Sequence, residues 1–169
     1  MTVVPERRPA PKPNRPRDPN APPKPKRPRD ELGRPLPHEA ENRLHLEDYD
    51  SLTIEENHRL GTRHLNAQQF FPAHEAWETC WKQAKGTGEA EFFKGLSQLG
   101  AGYTHYLRGN QHGAATLLRR GAGRLETHSS PHRGIDVAAL AALARAQADE
   151  VERAQRAGRP SPPLRFPKI

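Results

Sequence analysis

The distribution of proline divides this chain before any other feature is read. Twelve of its 18 prolines fall within residues 1–40, in runs such as Pro9-Ala10-Pro11-Lys12-Pro13 and Pro22-Pro23-Lys24-Pro25, whereas residues 41–159 contain only Pro72 and Pro131. Proline removes a backbone donor and biases its predecessor away from the α region, so helix is excluded from the first stretch and permitted in the second. The first stretch also has too few apolar side chains to offset the entropy of ordering its backbone. The pattern predicts a disordered Pro/Arg/Lys-rich tail over residues 1–45, a helical domain over 46–157 and a Pro-rich C-terminal strap over 158–169.

Charge follows a similar division. Residues 1–40 hold 10 Lys or Arg against 5 Asp or Glu, a balance of +5 within a net charge of +7 for the chain. Weak, nonspecific contact with nucleic acid or another polyanion is expected through residues 7–34. There is no apolar run of bilayer length and no charged start leading into an apolar stretch and a cleavage site, so the expectation is a cytoplasmic protein with no membrane association. The single cysteine, Cys80, excludes an intramolecular disulfide and reads as a small buried hydrophobe.

From residue 53 the periodicity becomes helical. Thr53 followed by Glu56 has the form of a capping box, with Ile54, Leu60 and Leu65 placed to be buried by a helix ending near Asn66. Pro72 suits the first turn of a second helix reaching about Lys85, where Gly86 and Gly88 stop it. A third, from about Glu89 to Arg108, carries Phe92, Leu96, Leu99, Tyr103, Tyr106 and Leu107 over a wide arc, which makes it central. Gly109-Asn110 breaks the chain before a fourth helix with Ala114, Leu117, Leu118, Gly121, Ala122 and Leu125 on one side. Pro131 and Gly134 precede a fifth, from about Asp136 to Arg156. No stretch alternates with period two, so the fold class is all-α: a compact bundle of about five helices preceded by the disordered tail.

Gly95, Gly100 and Gly102 lie inside the third helix, each costing about 1 kcal/mol relative to alanine. Close approach of neighbouring helices is the expected return. On the second helix, at about 100° per residue from Phe70, His74 falls near 40°, Glu78 near 80°, Trp77 near 340° and Trp81 near 20°, with Glu75 on the flank near 140°. Gln98 and His105 on the third helix are seven apart and share a line. If the two faces meet, His74, Glu75, Glu78, Gln98 and His105 form one polar cluster supported by the aromatics Trp77, Trp81 and Tyr103. The cluster is expected to form a structural hydrogen-bond network without bound metal; the alternative is a zinc or iron site, which imidazole and carboxylate groups between helices suit, with His74, Glu78 and His105 as the candidate ligands.

Established catalytic patterns are broken or absent. His74-Glu75 meets Glu78 where a zinc-protease helix has its second histidine. Glu55-x-x-His58 has the spacing found in di-iron bundles but occurs once, and reads as two surface residues. Glycine-rich nucleotide loops do not occur.

The string Ala73-His74-Glu75-Ala76-Trp77-Glu78 ending at Trp81, then Gly95-Leu96 with Gln98, His105, Gly109-Asn110 and Gly113-Ala114, resembles the domain of unknown function 309 family over about residues 56–127. The resemblance implies a small all-helical domain, found mainly in bacteria, and carries no established reaction. The functional reading is a non-enzymatic helical-bundle module that binds a partner protein or small ligand without a cofactor. The alternative is a metal-dependent, hydrolase-type enzyme that uses the His/Glu cluster.

Overall fold

A computed structural model of the chain describes residues 27–169. Of the disordered tail expected over residues 1–45, residues 1–26 lie outside the described residues. Five helices follow a 310 turn at Tyr49–Ser51: α1 (Ile54–Asn66), α2 (Phe70–Gln83), α3 (Ala90–Leu107), α4 (Gln111–Leu125) and α5 (Val137–Arg156). Among the described residues no strand forms, and two isolated bridges join Arg29 to Pro35 and His132 to Ile135. Each helix packs on the next in sequence, with α3 between α2 and α4.

The local signals act as their chemistry requires. Thr53 Oγ1 accepts the Glu56 amide while the Glu56 carboxylate accepts the Thr53 amide, so two otherwise unpaired donors at the start of α1 are satisfied reciprocally. Pro72 sits in the first turn of α2. Asn110 and Asp136 cap α4 and α5 through their side-chain oxygens.

The glycines of α3 mark close approach on two sides. A Cβ at Gly100 would lie 2.9 Å from the backbone nitrogen of His74 on α2, and one at Gly102 would lie 2.9 Å from the Leu118 side chain on α4. Phe92, Phe93, Leu96, Leu99 and Tyr103 are fully buried between these neighbours. Leu107, placed by periodicity in the buried arc, is instead 40% exposed, because it lies in the last turn of α3 and lines two open clefts.

Residues 27–45 correct the expected extent of the tail. They follow a defined path across the N-terminal end of α2 and the C-terminal end of α3. Arg108 donates from Nε to the Leu32 carbonyl at 2.9 Å, and the Arg29 and Arg108 guanidiniums flank the Phe71 ring at 5.8 and 5.6 Å from its centroid. Gly33 lies in the left-handed region (φ 76°) with its Cα against that same ring. Leu44 is buried. The prolines exclude helix here, but they do not exclude an extended segment held by side chains from the bundle.

Candidate functional site

α2 presents His74, Glu75, Glu78 and Lys82 along one ridge. His74 Nδ1 lies 3.1 Å from the Ser97 carbonyl oxygen and 2.9 Å from Ser97 Oγ, while that hydroxyl donates back to the His74 carbonyl at 3.3 Å. On the other side of the ring, Nε2 is 3.2 Å from a Glu78 carboxylate oxygen and 3.7 Å from one of Glu75. Lys82 Nζ closes the chain at 2.8 Å from the second Glu78 oxygen. Both ring nitrogens therefore face acceptors, which a doubly protonated imidazolium satisfies completely.

The electrostatics agree with that assignment. Burial alone would lower the His74 pKa, but the Glu78 hydrogen bond, the Glu75 charge and the Ser97 carbonyl outweigh it and raise the value above 6.5. The bond from His74, opposed by burial and reinforced by Lys82, pulls the Glu78 carboxyl down to about 2. With His74 protonated this is a charge-assisted ladder along one helix, anchored to α3 through Ser97.

The structure does not bring all five expected residues together. Gly100 faces the His74 backbone, and Ser97 and Thr104 share that line of α3; Gln98 is turned about 100° away from Ser97, towards α4. There its amide oxygen accepts from Arg124 Nε at 3.0 Å, and Arg124 also pairs with Glu91. His105 sits beside the α3–α4 turn, where its Nδ1 accepts from Asn110 Nδ2 at 2.9 Å. Burial, with the nearby Arg108 charge and that of His74, lowers its pKa. Asn110 also caps α4 through the Gly113 amide, so His105 braces a helix start.

The expected aromatic supports also have other partners. Tyr103 is buried and donates to Gln147 at 2.8 Å, and half-buried Trp81 lies between the Lys94 and Lys85 ammoniums, 4.7 and 5.2 Å from its ring centroid. Trp77 is fully buried and donates from Nε1 to His58 Nδ1 at 3.1 Å. The ring adjoining His74 is Phe71, with centroids 6.0 Å apart.

His58 corrects the surface reading. It is 9% exposed and meets Phe92 and Phe93 edge-on, whereas Glu55 is exposed and pairs with Arg133 at 2.7 Å. Its position four residues after Ile54 and seven before Leu65, on the apolar stripe of α1, was the available signal. Ser97 carried no comparable signal, since its role depends on which face of α3 meets α2.

For a metal, His74, Glu75 and Glu78 each offer a ligand atom, all within 4.8 Å of one another, and His105 does not join that set. An ion there would take the place of the Nε2 proton, while Nδ1 kept its bond to the Ser97 carbonyl, the orientation common in metal-binding histidines. A separate cleft of about 560 Å3 opens where residues 31–47 cross the bundle, with an apolar floor from Leu44, Phe71, Pro72 and Leu107 and a rim that includes Arg43 and Arg63.

Residues 59–117 match the family model described as Domain of unknown function (DUF309), the family that the sequence resembles. Comparison with curated proteins and with solved structures returned no match.

Proposed function

We propose that this domain is a non-enzymatic module that binds a partner protein or small ligand, and that the His74 ladder clamps α2 to α3. One observation supports this reading above the others: the bundle receives extended segments of its own chain through side chains that bond to backbone oxygens. Arg108 takes the Leu32 carbonyl, Tyr106 that of Pro162 at 2.9 Å, Gln147 that of Arg165 at 2.6 Å and Asn66 that of Ile169 at 2.7 Å. Contacts of this type read an extended backbone independently of most of its side chains, which is how peptide-recognition modules gain affinity. The cleft beside Phe71 is within the size range of small-ligand sites, roughly 300–1,000 Å3.

The basic tail is an accessory in this proposal. Its weak polyanion contact is proposed through residues 7–34, where Arg27, Arg29 and Arg34 are exposed although Arg29 also lies over Phe71 and Arg34 pairs with Asp30 at 2.6 Å. A cytoplasmic location belongs to the same proposal; among the described residues no helix is long and apolar enough to cross a membrane.

The second reading, a metal-dependent hydrolase, is favoured by the three convergent donors of His74, Glu75 and Glu78. Thermal unfolding with added zinc or iron separates the two. The binding-module reading expects an unchanged melting temperature. A rise in the wild type that is lost in Glu75→Gln, a change that leaves the Ser97 and Lys82 contacts in place, would establish the metal reading instead.

A further inference from the structure

The C-terminal segment is held as a ligand is held. Past Gly158 (φ 62°) the chain runs extended, as Pro160, Pro162, Pro163 and Pro167 require, over a face to which all five helices contribute. Phe166 enters an aromatic box, with its centroid 4.7 Å from Phe70, 5.5 Å from Tyr103 and 5.9 Å from Tyr106. Tyr106 Oη donates to the Pro162 carbonyl and accepts the Leu164 amide at 3.3 Å. Gln147 donates to the Arg165 carbonyl while its own oxygen takes the buried Tyr103 hydroxyl. Asn66 clasps the last residue twice, donating to the Ile169 carbonyl and accepting its amide at 2.9 Å. With Gln111 of α4, which donates to the Arg159 carbonyl at 2.9 Å, four side chains from four helices thus bond six backbone groups of the segment.

The seat is incomplete in two respects. Leu164, Phe166 and Ile169 are only partly buried, unlike the fully buried Phe70 and Tyr103 beneath them, and Arg165 and Lys168 are exposed. Beside the segment lies a cavity of about 620 Å3, lined by Ile135, Leu140 and Leu143 on one side and Phe166 to Ile169 on the other. An incoming chain has room to begin displacing the resident one.

We infer that residues 159–169 are a tethered occupant of a peptide-binding groove whose partner is an extended, proline-containing segment of another protein. That segment presents an aromatic side chain to the Phe70–Tyr103–Tyr106 box and its backbone to Asn66 and Gln147. The inference rests on the binding-module reading and specifies the chemistry of the partner. The resident segment supplies the argument for that chemistry: prolines pre-pay the entropy of extension, the ring fills the box, and the exposed basic side chains contribute no contact to the groove. Tethering gives the resident segment an effective concentration of about millimolar order, so an outside peptide competes poorly until the resident is weakened.

The test uses full-length protein and a fluorescent peptide with the sequence of residues 159–169. Phe166→Ala in the protein should bind the peptide about tenfold or more tighter than the wild type does, because the competing resident is weakened. Tyr106→Phe added to that variant should weaken peptide binding, and a peptide carrying Phe166→Ala should not bind. A folded Phe166→Ala protein that ignores the peptide, or binds the alanine peptide equally, overturns the inference. Should that variant lose its helical signal, amide exchange in the wild type decides: Leu164 and Ile169 should exchange by local opening, and exchange only with global unfolding would make the segment inseparable from the core. Concentration-dependent dimers that vanish with Phe166→Ala would overturn the partner assignment in favour of a second copy. A metal-dependent rise in melting temperature bears on the His74 reading alone and leaves these outcomes readable.

Discussion

His58 on α1 and His74 on α2 are the same residue type a helix apart, and their surroundings push them in opposite directions. His58 is enclosed by Phe92 and Phe93 and accepts a hydrogen bond from Trp77, so it must be neutral at Nδ1; burial, then the Arg133 charge, lowers its pKa. His74 faces acceptors at both nitrogens and its pKa rises. The difference teaches that histidine here is assigned by what its two nitrogens meet, since both residues serve to join helices.

Breaking the buried side of the comparison should have the largest effect. Trp77→Ala removes a fully buried indole and its bond to His58, and should cost about 3–5 kcal/mol in chemical denaturation. Trp81→Ala should cost clearly less, because the ring is only half-buried, at the edge of the core with two lysine ammoniums over it. Equal losses at the two positions would contradict the difference in burial.

His58→Leu keeps the volume apolar but leaves the Trp77 N–H without an acceptor, and should destabilise by about 1–3 kcal/mol. His74→Ala should have an effect of similar or smaller size, since its ladder is partly solvated and screened.

The pH dependence sharpens the contrast, and the signs differ. His58 has a folded pKa below its unfolded value of about 6.5, so its contribution is present above that pH and is lost as pH falls towards the lowered value. His74 has a raised folded pKa, so its contribution is complete below about 6.5 and is lost as pH rises through the raised value. Glu78, held near 2, adds a loss as pH falls below its ordinary carboxylate value. Urea denaturation from acid to mildly alkaline pH should show His74→Ala flattening the alkaline limb and His58→Leu flattening the limb just below neutrality.

The smallest effect is expected at Gln98. Its partner Arg124 has a second partner in Glu91, so Gln98→Ala should change stability by less than about 1 kcal/mol and leave the His74 titration unmoved.

These residues show where sequence reasoning reaches and where it stops. Helix positions were legible from Thr53 and Glu56, Pro72, Gly109 and the apolar spacing, because those signals act within a few residues. The polar cluster was legible on α2 alone. A seven-residue spacing places Gln98 and His105 on one line of α3 but does not say which neighbour that line faces; Gly100, where a Cβ would meet the His74 backbone, marks the correct face. The paths of residues 27–45 and 159–169 were not legible, because extended proline-rich chain has no periodic signal and is ordered by side chains far away in sequence.

The central claim is that His74 is a doubly bonded, proton-holding clamp rather than a free ligand or base. Nitrogen-detected NMR titration of the histidine rings tests it directly. The account predicts that His74 titrates above about 6.5 with protons on both ring nitrogens, while His58 titrates below that value with Nδ1 unprotonated. A His74 ring that titrates at or below about 6.5 would contradict it.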